Sequence, residues 1–120
     1  MHSSRKSILI LEDEPLVAMM LEEMVAELGH TVAACPRSAD EARAAIAASG
    51  FDMAVVDVNL WGGTGSELLG QVLELGRPVV ISSGYSPAGV PEEFRGLPFI
   101  GKPFRIEELD EALGAPATPR

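Results

Sequence analysis

Phe51-Asp-Met-Ala-Val-Val-Asp57 is the stretch that decides the fold. Its apolar run is too short for a helix and ends on a carboxylate. Such a run reads as a strand buried on both faces, the kind found in parallel sheets covered by helices. Moving outward, Ser7-Ile-Leu-Ile-Leu-Glu-Asp13 repeats the arrangement, with Glu12 and Asp13 at its end. Carboxylates gathered at strand tips repel one another and resist burial. A hard cation relieves that repulsion, and Mg2+ held by carboxylates is the usual partner in phosphate chemistry.

The rest of the chain alternates strand and helix signals. Strand one is expected at 7–12, strand two at 31–35, strand three at 52–57, strand four at 79–83 and strand five at 97–101. A helix is expected from Pro15, which suits a first turn, to Leu28, with Gly29 as its stop. Leu16, Val17, Met20, Leu21, Met24, Val25 and Leu28 form its apolar stripe. Ser38 and Glu41 have capping-box spacing and open an Ala-rich helix ending near Gly50. Leu68, Leu69, Val72, Leu73 and Leu75 mark a third helix, and Ile106, Leu109 and Leu113 mark the last, from 105 to 113. Residues 86–96 hold two prolines and two glycines, so only one or two turns after Pro91 are expected there, in a flexible segment. Five βα units imply an α/β domain with a doubly wound parallel sheet. Ligands bind such sheets at the carboxyl ends of the strands. Glu12, Asp13, Asp57, Ser83 and Lys102 all fall at such ends.

Composition narrows the function classes. The 120 residues suit one domain and are 47% hydrophobic, enough for one core. A net charge of −9 argues against direct nucleic-acid binding and against an anionic membrane surface. The lone Cys35 makes no internal disulfide and reads as a small buried residue at a strand end. No segment has the length of a membrane span, and the apolar run after the basic start is too short for a signal peptide. The expected location is the cytoplasm. His2 and His30 lack metal-ligand spacing.

Taken together, four elements resemble the receiver domain of two-component response regulators. They are Glu12-Asp13, Asp57, Ser83-Gly84 and Lys102-Pro103-Phe104, each after its own strand and in order. The resemblance runs from about residue 7 to 113 and implies a flavodoxin-like sheet of strand order 2-1-3-4-5. It implies that Asp57 accepts a phosphoryl group from a histidine kinase or phosphotransfer protein, with Mg2+ held by Glu12, Asp13, Asp57 and the Asn59 carbonyl. Lys102 would pair with Asp57 and then with a phosphoryl oxygen, while Ser83 would donate its hydroxyl to another. Ser82 is the neighbouring alternative donor. Phe99 takes the place of the family's switch aromatic, with plain packing as its other reading. Asn59 and Tyr85 would flank the site entrance. Lys102-Pro103 is commonly a cis peptide in the family.

Some positions depart from the pattern. Trp61 stands where the family usually has Pro, and Ser83-Gly84-Tyr85 resembles a subgroup with Thr-Gly-Tyr. The expected domain spans 7–114, between a disordered 1–6 and a flexible tail at 115–120. A receiver ending there either stands alone or is a piece of a longer protein. Its enzymology would be limited to self-phosphorylation and autodephosphorylation, and its outputs to contact with a downstream protein, as a monomer or a phosphorylation-dependent dimer. Two other readings compete with this one. A pseudo-receiver would bind partners without taking phosphate. A Mg2+-dependent phosphatase of the haloacid dehalogenase type would place nucleophile and acid two residues apart after the first strand, whereas Glu12 and Asp13 are adjacent.

Overall fold

The computed structural model of the protein describes residues 5–84 and 90–114. Five strands form one parallel sheet: β1 (Ser7–Leu11), β2 (Thr31–Ala34), β3 (Met53–Asp57), β4 (Val79–Ser83) and β5 (Phe99–Gly101). Their order is β2-β1-β3-β4-β5, the doubly wound arrangement expected from the alternation. The helices are α1 (Pro15–Glu27), α2 (Ala39–Ala48), α3 (Gly65–Glu74) and α4 (Ile106–Leu113).

Alternation along the central strands divides the core in two. Leu9, Leu11, Ala54, Val56, Val79 and Ile81 face one way and pack with Ala42 and Ile46 of α2 and Leu68, Leu69 and Val72 of α3. Ile8, Ile10, Met53, Val55, Val80 and Ile100 face the other way, against Leu21 and Val25 of α1 and Leu109, Ala112 and Leu113 of α4. Every residue of β3 is buried, which is why its sequence shows no polar alternation. Each large aliphatic side chain taken from water here contributes about 1.5–3 kcal/mol, before the entropy of ordering it is counted.

Several edges differ from the sequence reading. β5 begins at Phe99, not Leu97. Pro98 has no N–H to give a ladder, so it enters the sheet only as an acceptor, through its carbonyl to the Ile81 amide at 2.9 Å. Cys35 lies just past β2 and is half-buried. Between β4 and β5 the described residues hold only a 3-10 turn, Glu92–Phe94, after Pro91. Val90, Phe94 and Leu97 are buried, so 90–97 is anchored to the core. The expectation of flexibility at 86–89, and those for 1–4 and 115–120, lie outside the described residues.

Caps set the helix ends. Ser38 Oγ accepts from the Glu41 amide at 3.1 Å, as a capping box requires. The returning Glu41 carboxylate accepts from the Arg37 amide at 2.8 Å, one residue before the expected partner. Gly29 takes a φ of 92° after α1, a conformation that suits a helix stop.

The amino ends of the strands are tied by polar contacts far from the acidic ends. His30 Nδ1 accepts from the Lys6 amide at 3.1 Å, and Lys6 Nζ donates to the Leu113 carbonyl at 3.0 Å. Arg77 Nε donates to the Phe51 carbonyl at 3.0 Å, with its guanidinium above the Phe51 ring.

Two expected outcomes follow from packing. A Cβ at Gly65 would run into the Val58 carbonyl, whereas one at Gly70 meets nothing within 4 Å. Gly65→Ala is therefore expected to lose about 1–3 kcal/mol of stability. Gly70→Ala, in the same helix, should gain about 0.5–1 kcal/mol. Urea unfolding of both variants checks this, and equal effects would refute the crowding at Gly65.

His30 gives the second. Burial pushes its pKa below the usual 6.5, the Lys6 charge adds to this, and Asp110 opposes it. The unfolded chain then takes up the proton first as pH falls, so the neutral ring's contribution is present above about 6.5 and lost through lower pH. His30→Asn should flatten the wild type's stability decline between about pH 7 and pH 5, read by unfolding at each pH.

Candidate functional site

The carboxyl ends of β1, β3, β4 and β5 converge at one end of the sheet. β1 stops at Leu11, which leaves Glu12 buried and Asp13 exposed immediately beyond it. Asp57 is the last residue of β3 and only 5% exposed. One oxygen from each of Glu12, Asp13 and Asp57 lies within 4.8 Å of the others. Three hard carboxylate oxygens at that spacing suit a cation such as Mg2+ or Ca2+, and carry no soft ligand for zinc or copper.

Lys102 answers this charge from just beyond β5. Its ammonium donates to Asp57 Oδ2 at 2.8 Å and stands 2.7 Å from Glu12 Oε1. The Glu12 contact lacks the alignment of a good hydrogen bond, yet a charged pair at that distance is held by Coulomb attraction. A third carboxylate, Glu14, places Oε1 3.6 Å from the same nitrogen. Backbone contacts fix Lys102 in place. Its amide donates to the Ser83 carbonyl at 2.8 Å, and the Lys102–Pro103 peptide is cis.

These neighbours shift the titrating groups in opposed ways. Burial raises the Glu12 pKa and outweighs the lowering by Lys102 and by the Glu14 amide, which bonds Glu12 Oε2; the Asp57 charge raises it further. Burial pulls Lys102 down, but its bond to Asp57 and its charge contact with Glu12 win and leave its pKa raised. The ammonium therefore stays charged at neutral pH.

The β3–α3 loop supplies amide donors. The Asn59 amide holds Asp57 Oδ1 at 2.9 Å, and the Trp61 amide holds Asp13 Oδ2 at 3.2 Å. Trp61 takes a φ of 27°, which a proline could not adopt. Gly65 lets α3 start directly against the Val58 carbonyl, which sets the path of this loop. Asp13, Glu14, Asp57, Asn59, Gly84 and Lys102 line an open cleft of about 340 Å³. A larger groove of about 610 Å³ adjoins it between Met19, Pro36, Arg37 and Trp61.

Ser83 is buried at the end of β4. Its neighbour Ser82 is the sheet partner of Asp57, and among the described residues its buried Oγ has no hydrogen-bond partner. Phe99 is half-buried against the α2–α3 side of the core. Tyr85 lies outside the described residues. Two participants were not singled out from the sequence, the Glu14 carboxylate and the Trp61 amide. The acidic run Glu12-Asp13-Glu14 was a signal for the first; a backbone N–H leaves no trace in side-chain chemistry.

The chain is similar to known proteins. The family model of the response regulator receiver domain matches residues 8–114. The two-component response regulator PhoP of Pseudomonas aeruginosa is 31% identical over 113 residues, which are 90% of this chain and 50% of that protein. The chain thus spans about half the length of that curated relative. The solution structure of SdrG from Sphingomonas melonis Fr1 superposes with a TM-score of 0.80 at 37% identity, covering 93% of this chain and 96% of that one. The response regulator PhyR from Brucella abortus superposes at 0.78 with 28% identity, over 93% of this chain and 47% of its own.

Removing the ammonium should expose the repulsion it offsets. Lys102→Ala, studied without divalent cations, is expected to lose about 1–3 kcal/mol because buried Glu12 and Asp57 are left unpaired. Glu12→Gln added to that variant should recover part of the loss. Denaturant unfolding of the four-member cycle measures this, and a Lys102→Ala variant as stable as wild type would contradict it.

Proposed function

The chain belongs to the response regulator receiver family, and from that premise we propose that Asp57 is its phosphoacceptor. Receiver domains of two-component systems interact with histidine kinases or phosphotransfer proteins, and such a protein is the proposed donor here. The output is a phosphorylation-dependent contact with a downstream protein, as a monomer or a dimer. The proposed location is the cytoplasm; among the described residues no helix is long and apolar enough to cross a membrane.

The observation that carries this reading is the state of the Asp57 carboxylate. It sits at a strand end with Oδ1 fixed by the Asn59 amide and Oδ2 against the Lys102 ammonium, beside Glu12 and Asp13. Asp57 is thereby oriented before any donor arrives, which is most of what phosphoryl transfer asks of a protein. Glu12, Asp13, Asp57 and the Asn59 carbonyl are the proposed Mg2+ ligands. Bound there, Mg2+ would supply positive charge against the crowded carboxylates and the oxygens of the transferred group.

The remaining roles belong to this chain's own groups. One Asp57 oxygen attacks phosphorus and the donor's bond to phosphorus breaks, giving an acyl phosphate. Lys102 then moves its charge from the Asp57 carboxylate to a phosphoryl oxygen. The Ser83 hydroxyl donates to another, and Phe99 follows as the aromatic part of the switch. Asn59, on the lining of the cleft, and Tyr85 are the residues proposed to set the rate of acyl-phosphate hydrolysis.

Intact-mass spectrometry after incubation with acetyl phosphate tests the proposal. Wild type with Mg2+ should gain a single phosphoryl adduct. Asp57→Ala, and wild type with a chelator, should gain none. No adduct on wild type, under conditions that modify a known receiver, would instead favour a binding module that takes no phosphate.

A further inference from the structure

Glu14 is the N-cap residue of α1, yet its side chain makes no capping bond. The side chains that cap helices there are the shorter Ser, Thr, Asp and Asn, and a Glu carboxylate is free to reach elsewhere. Here Pro15 occupies the first turn, and the Glu14 amide is engaged by Glu12 Oε2. The Glu14 carboxylate instead leans over the cleft to stand 3.6 Å from Lys102 Nζ, with its side chain 65% exposed. A pair so exposed adds little to stability. Its charge, however, lies on the lining of the cleft that holds Asp57. Three carboxylates, Glu12, Glu14 and Asp57, stand within 3.6 Å of one ammonium, and Asp13 adds its charge beside Glu12 and Asp57.

We propose that Glu14 is a specificity-determining residue that turns small, doubly charged phosphodonors away from the cleft and so favours donors delivered on a protein. The inference rests on the assignment of Asp57 above. A free dianion must approach Asp57 past the Glu14 charge with only its own few contacts to offset the repulsion. A phosphorylated histidine arrives with the binding energy of a protein surface, which is spent in placing the reacting group. Electrostatic repulsion of this kind acts on approach and weakens as salt rises. In the reaction with acetyl phosphate, an Asp57 oxygen forms the new bond to phosphorus. The bond from phosphorus to the acetyl oxygen breaks, and acetate leaves with the electron pair. With phosphoramidate the phosphorus–nitrogen bond breaks and ammonia leaves.

The test compares adduct formation from acetyl phosphate, a dianion, and phosphoramidate, which carries one net negative charge, at saturating Mg2+. The variants are Glu14→Gln, Glu14→Asp and Glu27→Gln, the last removing the same charge at the far end of α1, about 20 Å away. Glu14→Gln should raise the second-order rate with acetyl phosphate about three- to tenfold at low ionic strength. The gain should be smaller with phosphoramidate and shrink below about twofold in 0.5 M salt. Glu14→Asp and Glu27→Gln should stay near wild type, and the unfolding midpoint of Glu14→Gln should not move. Equal rates for Glu14→Gln and wild type overturn the inference while leaving Asp57 in place. So does a gain that is the same for both donors or indifferent to salt. No adduct on wild type or on Glu14→Gln with either donor overturns the Asp57 assignment and takes this inference with it.

Discussion

Repulsion among carboxylates is the constraint around which this end of the molecule is built. The sheet places Glu12, Asp13 and Asp57 within a few ångströms because strands β1 and β3 are neighbours in register. Nothing in a bare parallel sheet pays for that closeness. Lys102 offsets it from the far side of β4, so the site depends on β1, β3, β4 and β5 being paired in that order. A residue near the chain's end thus stabilises residues near its start, and the acidic cluster has its counter-charge only when β5 is in place.

The compensation is partial by construction. One ammonium shared by buried Glu12 and Asp57 leaves Asp13 to find a backbone amide in the next loop, and leaves Glu14 only a longer, exposed contact with it. A site with unspent negative charge is poised for a cation. On the proposed assignment, the same bonds that hold it together without one are those that would be exchanged in phosphoryl transfer. The opposite end of the sheet has no such tension. There Lys6, His30 and Arg77 tie loops to backbone carbonyls and amides, and the contacts are satisfied as they stand.

Much of this was legible from residues alone, for a physical reason. β1 and β3 are buried on both faces, so their sequences are unbroken apolar runs, and the acids that end them stand out. Strand order and the pairing of Lys102 with Asp57 were not readable from local pattern; they came from resemblance to a family. Other features escaped because they depend on backbone groups. Pro98 shortens β5 by lacking a donor, and Glu41 reaches the Arg37 amide instead of the one at Ser38. The leaning of Glu14 towards Lys102 escaped for a different reason, since only the folded sheet brings residues 14 and 102 together.

Trp61 is the chain's single tryptophan. Its indole walls the groove beside the acidic cluster, and its own amide is bonded to Asp13. An event that rearranges the Asp13 carboxylate must therefore disturb the peptide unit that carries the indole. The protein contains its own optical reporter, free of background from other indoles, wired by one hydrogen bond to the place where charge is most crowded.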